Sequence, residues 1–142
     1  MQPSNTTQSL DLGRLLRVQA MVTESAQTEA TYKAGTALVR TFMGLREEIL
    51  LIMRGDELEP LRGECNRLFP PMGNPPPFDP ATGAETTKYL EAAAGEALLN
   101  LRKLGGWIQG LINELTLERR LRLEAEAKVA QASRPPTGFQ QP

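Results

Sequence analysis

The sequence contains no histidine. That absence removes the commonest general base, the Ser-His and Cys-His nucleophile pairs, and most zinc sites. It also rules out the Glu-x-x-His pattern on which helical di-metal sites depend. There is one cysteine, so no intrachain disulfide can form and nothing demands an oxidising compartment. Aromatic residues make up 5% of the chain, too few to dominate a core. Net charge is −1, so no overall positive field draws in phosphate, and a nucleic-acid partner is not expected. No apolar run approaches the roughly 20 residues needed to span a bilayer, so no membrane partner is expected either. The opening MQPSNTTQSL has neither a basic n-region nor an apolar h-region. The expected location is therefore cytoplasmic. No enzyme, cofactor or metal is expected.

What is present favours helices. Leucine and alanine dominate the apolar residues, with glutamate and arginine prominent among the charges. At 142 residues the chain suits one domain. Residues 1–8 are polar and read as a disordered N-terminus. Ser9 is a plausible N-cap for a first helix with Leu12, Leu15, Leu16, Val18 and Val22 on its apolar side. Residues 23–31 fit a turn or continued helix equally well.

A second helix is predicted over 30–54. Leu38, Phe42, Leu45, Ile49 and Ile52 recur at four, three, four, three, with Val39, Met43, Leu50 and Met53 as a second row. Gly55 is the expected C′ residue ending it. Leu58, Leu61, Cys65 and Leu68 then mark a short third helix. Pro60 is tolerable only in its first turn, which places the start near Asp56 or Glu57. The prolines of residues 70–83 exclude regular helix; the stretch reads as a stiff connector or a ligand segment.

One long helix is predicted over 84–132. Its seam is Leu90, Ala94, Ala97, Leu101, Leu104, Ile108, Leu111 and Leu115, every step four or three. Beyond Leu115 the seam meets Glu118 and Arg122 and fails, although Leu117, Leu121 and Leu123 persist. The expected architecture is all-α: a four-helix bundle over 9–132 with a Pro-rich crossover, a long overhanging C-terminal helix, and a flexible C-terminal tail over 133–142.

Several side chains invite a sharper reading. Glu47-Glu48 and Asp56-Glu57 are acidic pairs that read as solvated surface. Arg119, Arg120 and Arg122 form a basic cluster. Glu114, Glu118, Glu124 and Glu126 interleave with it at spacings that favour local ion pairs. Cys65 reads as a buried thiol rather than a nucleophile. The methionines read as core filling, or as adaptable contacts for varied chains.

The stretch LGGWIQGL, residues 104–111, is the most unusual. Glycine within a helix costs about 1 kcal/mol relative to alanine. Gly106 and Gly110 lie four apart on one face and would let another helix approach closely, with Gly105 on an adjacent row and Trp107 as a plug. Leu101, Leu104, Gly106, Trp107, Gly110 and Leu111 are the candidate interface, either within the bundle or between subunits.

These residues resemble the ATP-independent proteasome activator family of actinobacteria. Its last helix carries leucine, any residue, Gly-Trp-Leu, any residue, Gly-Leu. LEPLRGECNRLFPP, residues 58–71, is similar to the family's third helix and following loop. A Pro-Pro and glycine tail follows in both. The resemblance covers roughly residues 35–138. It implies four-helix protomers assembled with themselves as a dodecameric ring. The ring caps the 20S proteasome core without ATP and admits unfolded protein substrates. It also implies docking by a tail ending Gly-Gln-Tyr-Leu. Here the candidate docking residues are Gly138, Phe139, Gln140, Gln141 and Pro142, with Gln141 where the family has tyrosine.

Overall fold

The computed structural model describes residues 10–75 and 80–133, and every element among them is helical. Among the described residues four α-helices run in order: α1 (Leu12–Ser25), α2 (Gly35–Ile52), α3 (Glu59–Leu68) and α4 (Gly83–Ser133). Short 3-10 turns at Tyr32–Ala34, Asp56–Leu58 and Pro80–Thr82 lead into α2, α3 and α4. Residues 1–9, 76–79 and 134–142 lie outside the described residues, and with them the expected disordered N-terminus, the Ser9 cap, part of the crossover and the docking tail.

Asp11, not Ser9, caps α1: its Oδ1 accepts from the Arg14 backbone N–H at 3.1 Å. Leu10 before the cap and Leu15 four residues into the helix are both buried, at the positions of a hydrophobic staple. Leu16, expected on the apolar side, is instead 49% exposed. The chain leaves the helix after Ser25 through turn bonds from Gln27 to Glu24 and from Thr28 to Ser25, so residues 23–31 are mostly turn.

α2 begins at Gly35, five residues later than predicted, because residues 26–31 form that turn and a 3-10 turn precedes the helix. Gly35 is needed where it stands. A Cβ there would sit 2.5 Å from the Leu90 carbonyl oxygen, so α2 and α4 touch backbone to backbone. Gly35→Ala must push the two helices apart, at an expected cost of about 1–3 kcal/mol, read from the denaturant midpoint.

The end of α2 departs from expectation. Gly55 is not a left-handed C′ residue: its φ is −68°, and no described glycine has a positive φ. The carbonyls just past α2 are met from α3. Arg62 on α3 donates through Nη1 to Met53 O at 2.6 Å and to Gly55 O at 3.3 Å. The guanidinium thus holds the chain just beyond the helix, while the Met53 N–H closes the last turn onto Ile49 O and Leu50 O.

α3 has Pro60 in its first turn, as predicted. Its apolar row ends differently. Leu68 is 44% exposed and Phe69 is buried. Phe69 has left helical geometry, with φ −128°, so its side chain points inward where the helical register would have pointed it out.

α4 is 51 residues, about 76 Å long. All eight seam residues from Leu90 to Leu115 are buried. α1, α2 and α4 pack on one another pairwise, and the turn at Tyr32–Ala34 also rests on α4. α3 joins this core through Cys65, with Leu58 and Phe69 flanking it. Past Leu115 the helix leaves the core, and residues 116–133 are exposed apart from a half-buried Glu118. That stretch is about 27 Å of unsupported rod.

Candidate functional site

Trp107 sits where α4 meets α3. Its indole N–H donates to Glu64 Oε1 at 2.6 Å, and the Phe69 ring meets it edge-on with centroids 5.7 Å apart. A carboxylate acceptor makes this a charge-assisted bond. Trp107 is half-buried, and its polar edge is the part held. Truncating it to alanine removes both contacts.

The opposite side of α3 is held by Arg46, the one charged residue buried among those described. Its Nε donates to Phe69 O at 2.5 Å, Nη2 to Asn66 Oδ1 at 2.8 Å and Nη1 to Glu47 Oε1 at 3.2 Å. The end of α3 is thus clamped between a guanidinium from α2 and an indole from α4. Met72 continues the fastening, donating its backbone N–H to the Met43 sulfur at 3.1 Å. The first residues of the proline-rich stretch therefore lie against α2.

Cys65 is fully buried beneath this clamp. Burial pushes its thiol up from an ordinary 9.0 to about 11, opposed by the nearby Arg46 charge. The thiol is protonated at neutral pH and is no nucleophile there. The raised value makes its contribution to stability complete below about pH 9 and lost as pH rises towards 11. Wild type should lose about 2 kcal/mol more than Cys65→Ala across that interval, measured by chemical denaturation at each pH.

The glycines divide between two faces. Gly105 is the close approach: a Cβ there would lie 3.1 Å from Val22 Cγ1 on α1. Gln19 fixes the same crossing, donating to Gly105 O at 2.9 Å and Gln109 Oε1 at 3.2 Å. Within the chain, then, the tight crossing is at Gly105 and not at Gly106 and Gly110. Those two are exposed, and a Cβ on either would meet nothing within 4 Å. The physical reason is register. Leu104 and Ile108 face the core, so Gly105 lies beside them while Gly106 and Gly110 lie on the far side. Of the other candidate interface residues, Leu101, Leu104 and Leu111 belong to the buried core.

Beyond the core, Leu117, Leu121, Leu123 and Val129 are 45–65% exposed. The local ion pairs expected among residues 114–126 do not form. Among the described residues the ion pairs are Arg14–Glu48 and Arg46–Glu47. Glu118 is raised above the ordinary carboxylate range by burial and by Glu114 beside it, with Arg122 opposing. One Glu118 oxygen is buried without a hydrogen-bond partner.

Sequence reasoning missed Arg46, Glu64, Phe69 and Gln19. Arg46 was open to discovery: it stands four residues after Phe42 and three before Ile49, on the buried side of α2. Glu64 and Gln19 carry no pattern that marks them. Among the described residues no three histidine, cysteine or acidic side chains gather as metal ligands, and no helix is long and apolar enough to cross a membrane. No protein-family model matches this chain, and no curated protein or solved structure is detectably similar to it.

Proposed function

We propose that this chain is a non-enzymatic adaptor of the ATP-independent proteasome activator kind: a four-helix protomer with a proline-rich crossover that assembles into a ring. The ring would cap a 20S core and pass unfolded proteins to it. Its work is passive. Exposed apolar surface holds unfolded chain, and several weakly docking tails act together through avidity. The observation that supports this best is α4 beyond Leu115. A rod carrying Leu117, Leu121, Leu123 and Val129 in the open does nothing for the fold of its own chain. The glycine-flanked Trp107 segment, which carries the resemblance, lies on the same helix.

The second reading is a scaffolding oligomer with no protease partner. It draws on the same exposed α4 face, which serves association whether or not a protease is present. Native mass and protease stimulation separate the two. The adaptor should form a large ring and speed casein degradation by a purified 20S core in the absence of ATP. A large assembly that leaves the core's rate unchanged indicates the scaffold, and a monomer removes the ring. Replacing Gln140-Gln141-Pro142 with Gln-Tyr-Leu tests the tail directly, since docking gained only then shows that the present tail is not the anchor.

A further inference from the structure

The outer face of α4 is exposed, and its glycines meet nothing within the chain. We propose that it forms a two-fold, antiparallel contact with a second copy of this chain, centred on Ile108. This goes beyond the protease reading and does not depend on it: it uses Leu117 and Leu121 for association and leaves Leu123 and Val129, off the row, as open apolar surface.

Gly95, Leu99, Gly106, Gly110, Leu117 and Leu121 fall within about 80° of one another on the helix, opposite the buried seam. All six are exposed, and a Cβ on any of the three glycines would meet nothing within 4 Å. The row therefore has no partner inside the chain. It is also symmetric. Leu99 and Leu117 each lie nine residues from Ile108, and Gly106 and Gly110 each lie two.

Antiparallel packing about that centre pairs these six positions with one another; only towards the ends, twenty residues from Ile108, do Lys88 and Lys128 come level with each other. Gly106 meets the second copy's Gly110, so the helix axes approach to about 8 Å, the short end of the usual range. Leu99 meets the second copy's Leu117. The second copy's Leu121 comes level with Gly95, a bulky side chain over an open position. The overhanging half of each α4 thereby lies along the core-backed half of the other, and the unsupported rod acquires support.

Charge agrees with this direction. Lys103 and Glu114 lie on the same flank of the row, five and six residues from the centre, one on each side. Both are exposed, and among the described residues neither has an ion-pair partner. The two-fold axis sets each Lys103 beside the other copy's Glu114, twice per pair. A parallel, in-register pair would instead set lysine level with lysine. The contact is isologous, so it closes at two copies, and a ring that uses it contains whole dimers.

Sedimentation of the full chain tests this. Gly106→Arg with Gly110→Arg should leave the circular dichroism of the protomer unchanged and weaken self-association at least a hundredfold. Lys103→Glu and Glu114→Lys should each weaken it on the order of tenfold, by turning two attractions into two repulsions. The double charge reversal should restore it. In a Cys65→Ala background, a mixture of the Leu99→Cys and Leu117→Cys variants should crosslink to each other under mild oxidation, and neither alone should. A dimer of wild type that shows charge rescue but does not stimulate a protease core upholds the pairing and removes the activator reading. The pairing is overturned if wild type is monomeric. It is also overturned if the arginine variants associate as wild type does, if the charge reversal fails to rescue, or if Leu99→Cys crosslinks to itself.

Discussion

Arg46→Ala should cost about 3 kcal/mol and release the end of α3 from the core. Three acceptors meet that guanidinium, but they are unequal. Glu47 is exposed and Asn66 is exposed, so both can turn to water. The Phe69 carbonyl is the buried acceptor, bonded to Arg46 Nε at 2.5 Å. Leaving it bare costs on the order of 1–3 kcal/mol, and a hydrogen bond to a charged donor contributes a similar amount. Arg46→Lys should be intermediate, since an ammonium cannot span three separate acceptors as a fork does. The chain's single tryptophan reports the change locally. Phe69 touches Trp107, so freeing Phe69 wets the indole, and fluorescence emission should shift red at denaturant concentrations where α4 is still helical by circular dichroism. Coincident fluorescence and helicity transitions at the wild-type midpoint would show that Arg46 is not the clamp.

That clamp marks the limit of what pattern reveals. The α4 seam was legible residue by residue because a 3-4 rhythm records one thing, which side faces a partner. The buried row of α2 was legible for the same reason. What periodicity does not record is a side chain that satisfies backbone at a distance. Arg62 holds the chain after α2 and Arg46 the loop after α3. A glycine cap was the natural reading of Gly55, yet its φ is negative, and Arg62 fastens the chain just past the helix end instead. Phe69 escaped notice because burial after a helix end depends on where the chain turns. Gly105 and Gly106 differ by one residue, or about 100° of rotation. The seam of Leu101, Leu104, Ile108 and Leu111 already assigns Gly105 to the inner side and Gly106 and Gly110 to the outer; what it does not record is that Val22 of α1 is the side chain packed against Gly105.

Ending the chain after residue 116 should leave the protomer folded and abolish its assembly. The buried seam closes at Leu115, and of residues 117–133 only Glu118 is even half-buried. The deletion removes none of the side chains that form the hydrophobic core. It also removes a carboxylate whose buried oxygen lacks a partner, a group that favours neither burial nor ionisation where it stands. Protomer stability should therefore change by no more than about 0.5 kcal/mol, the range of surface changes remote from packing. The loss appears in association instead. Leu117, Leu121, Leu123 and Val129 carry the exposed apolar surface of the overhang, and a helix without tertiary packing along one face has little to hold it. The full chain should show higher native mass and better protected amides over 117–130 than a lone rod could, both concentration dependent. If the shortened chain instead unfolds cooperatively at a much lower denaturant concentration while its mass is unchanged, the overhang braces its own core, and assembly through it is excluded.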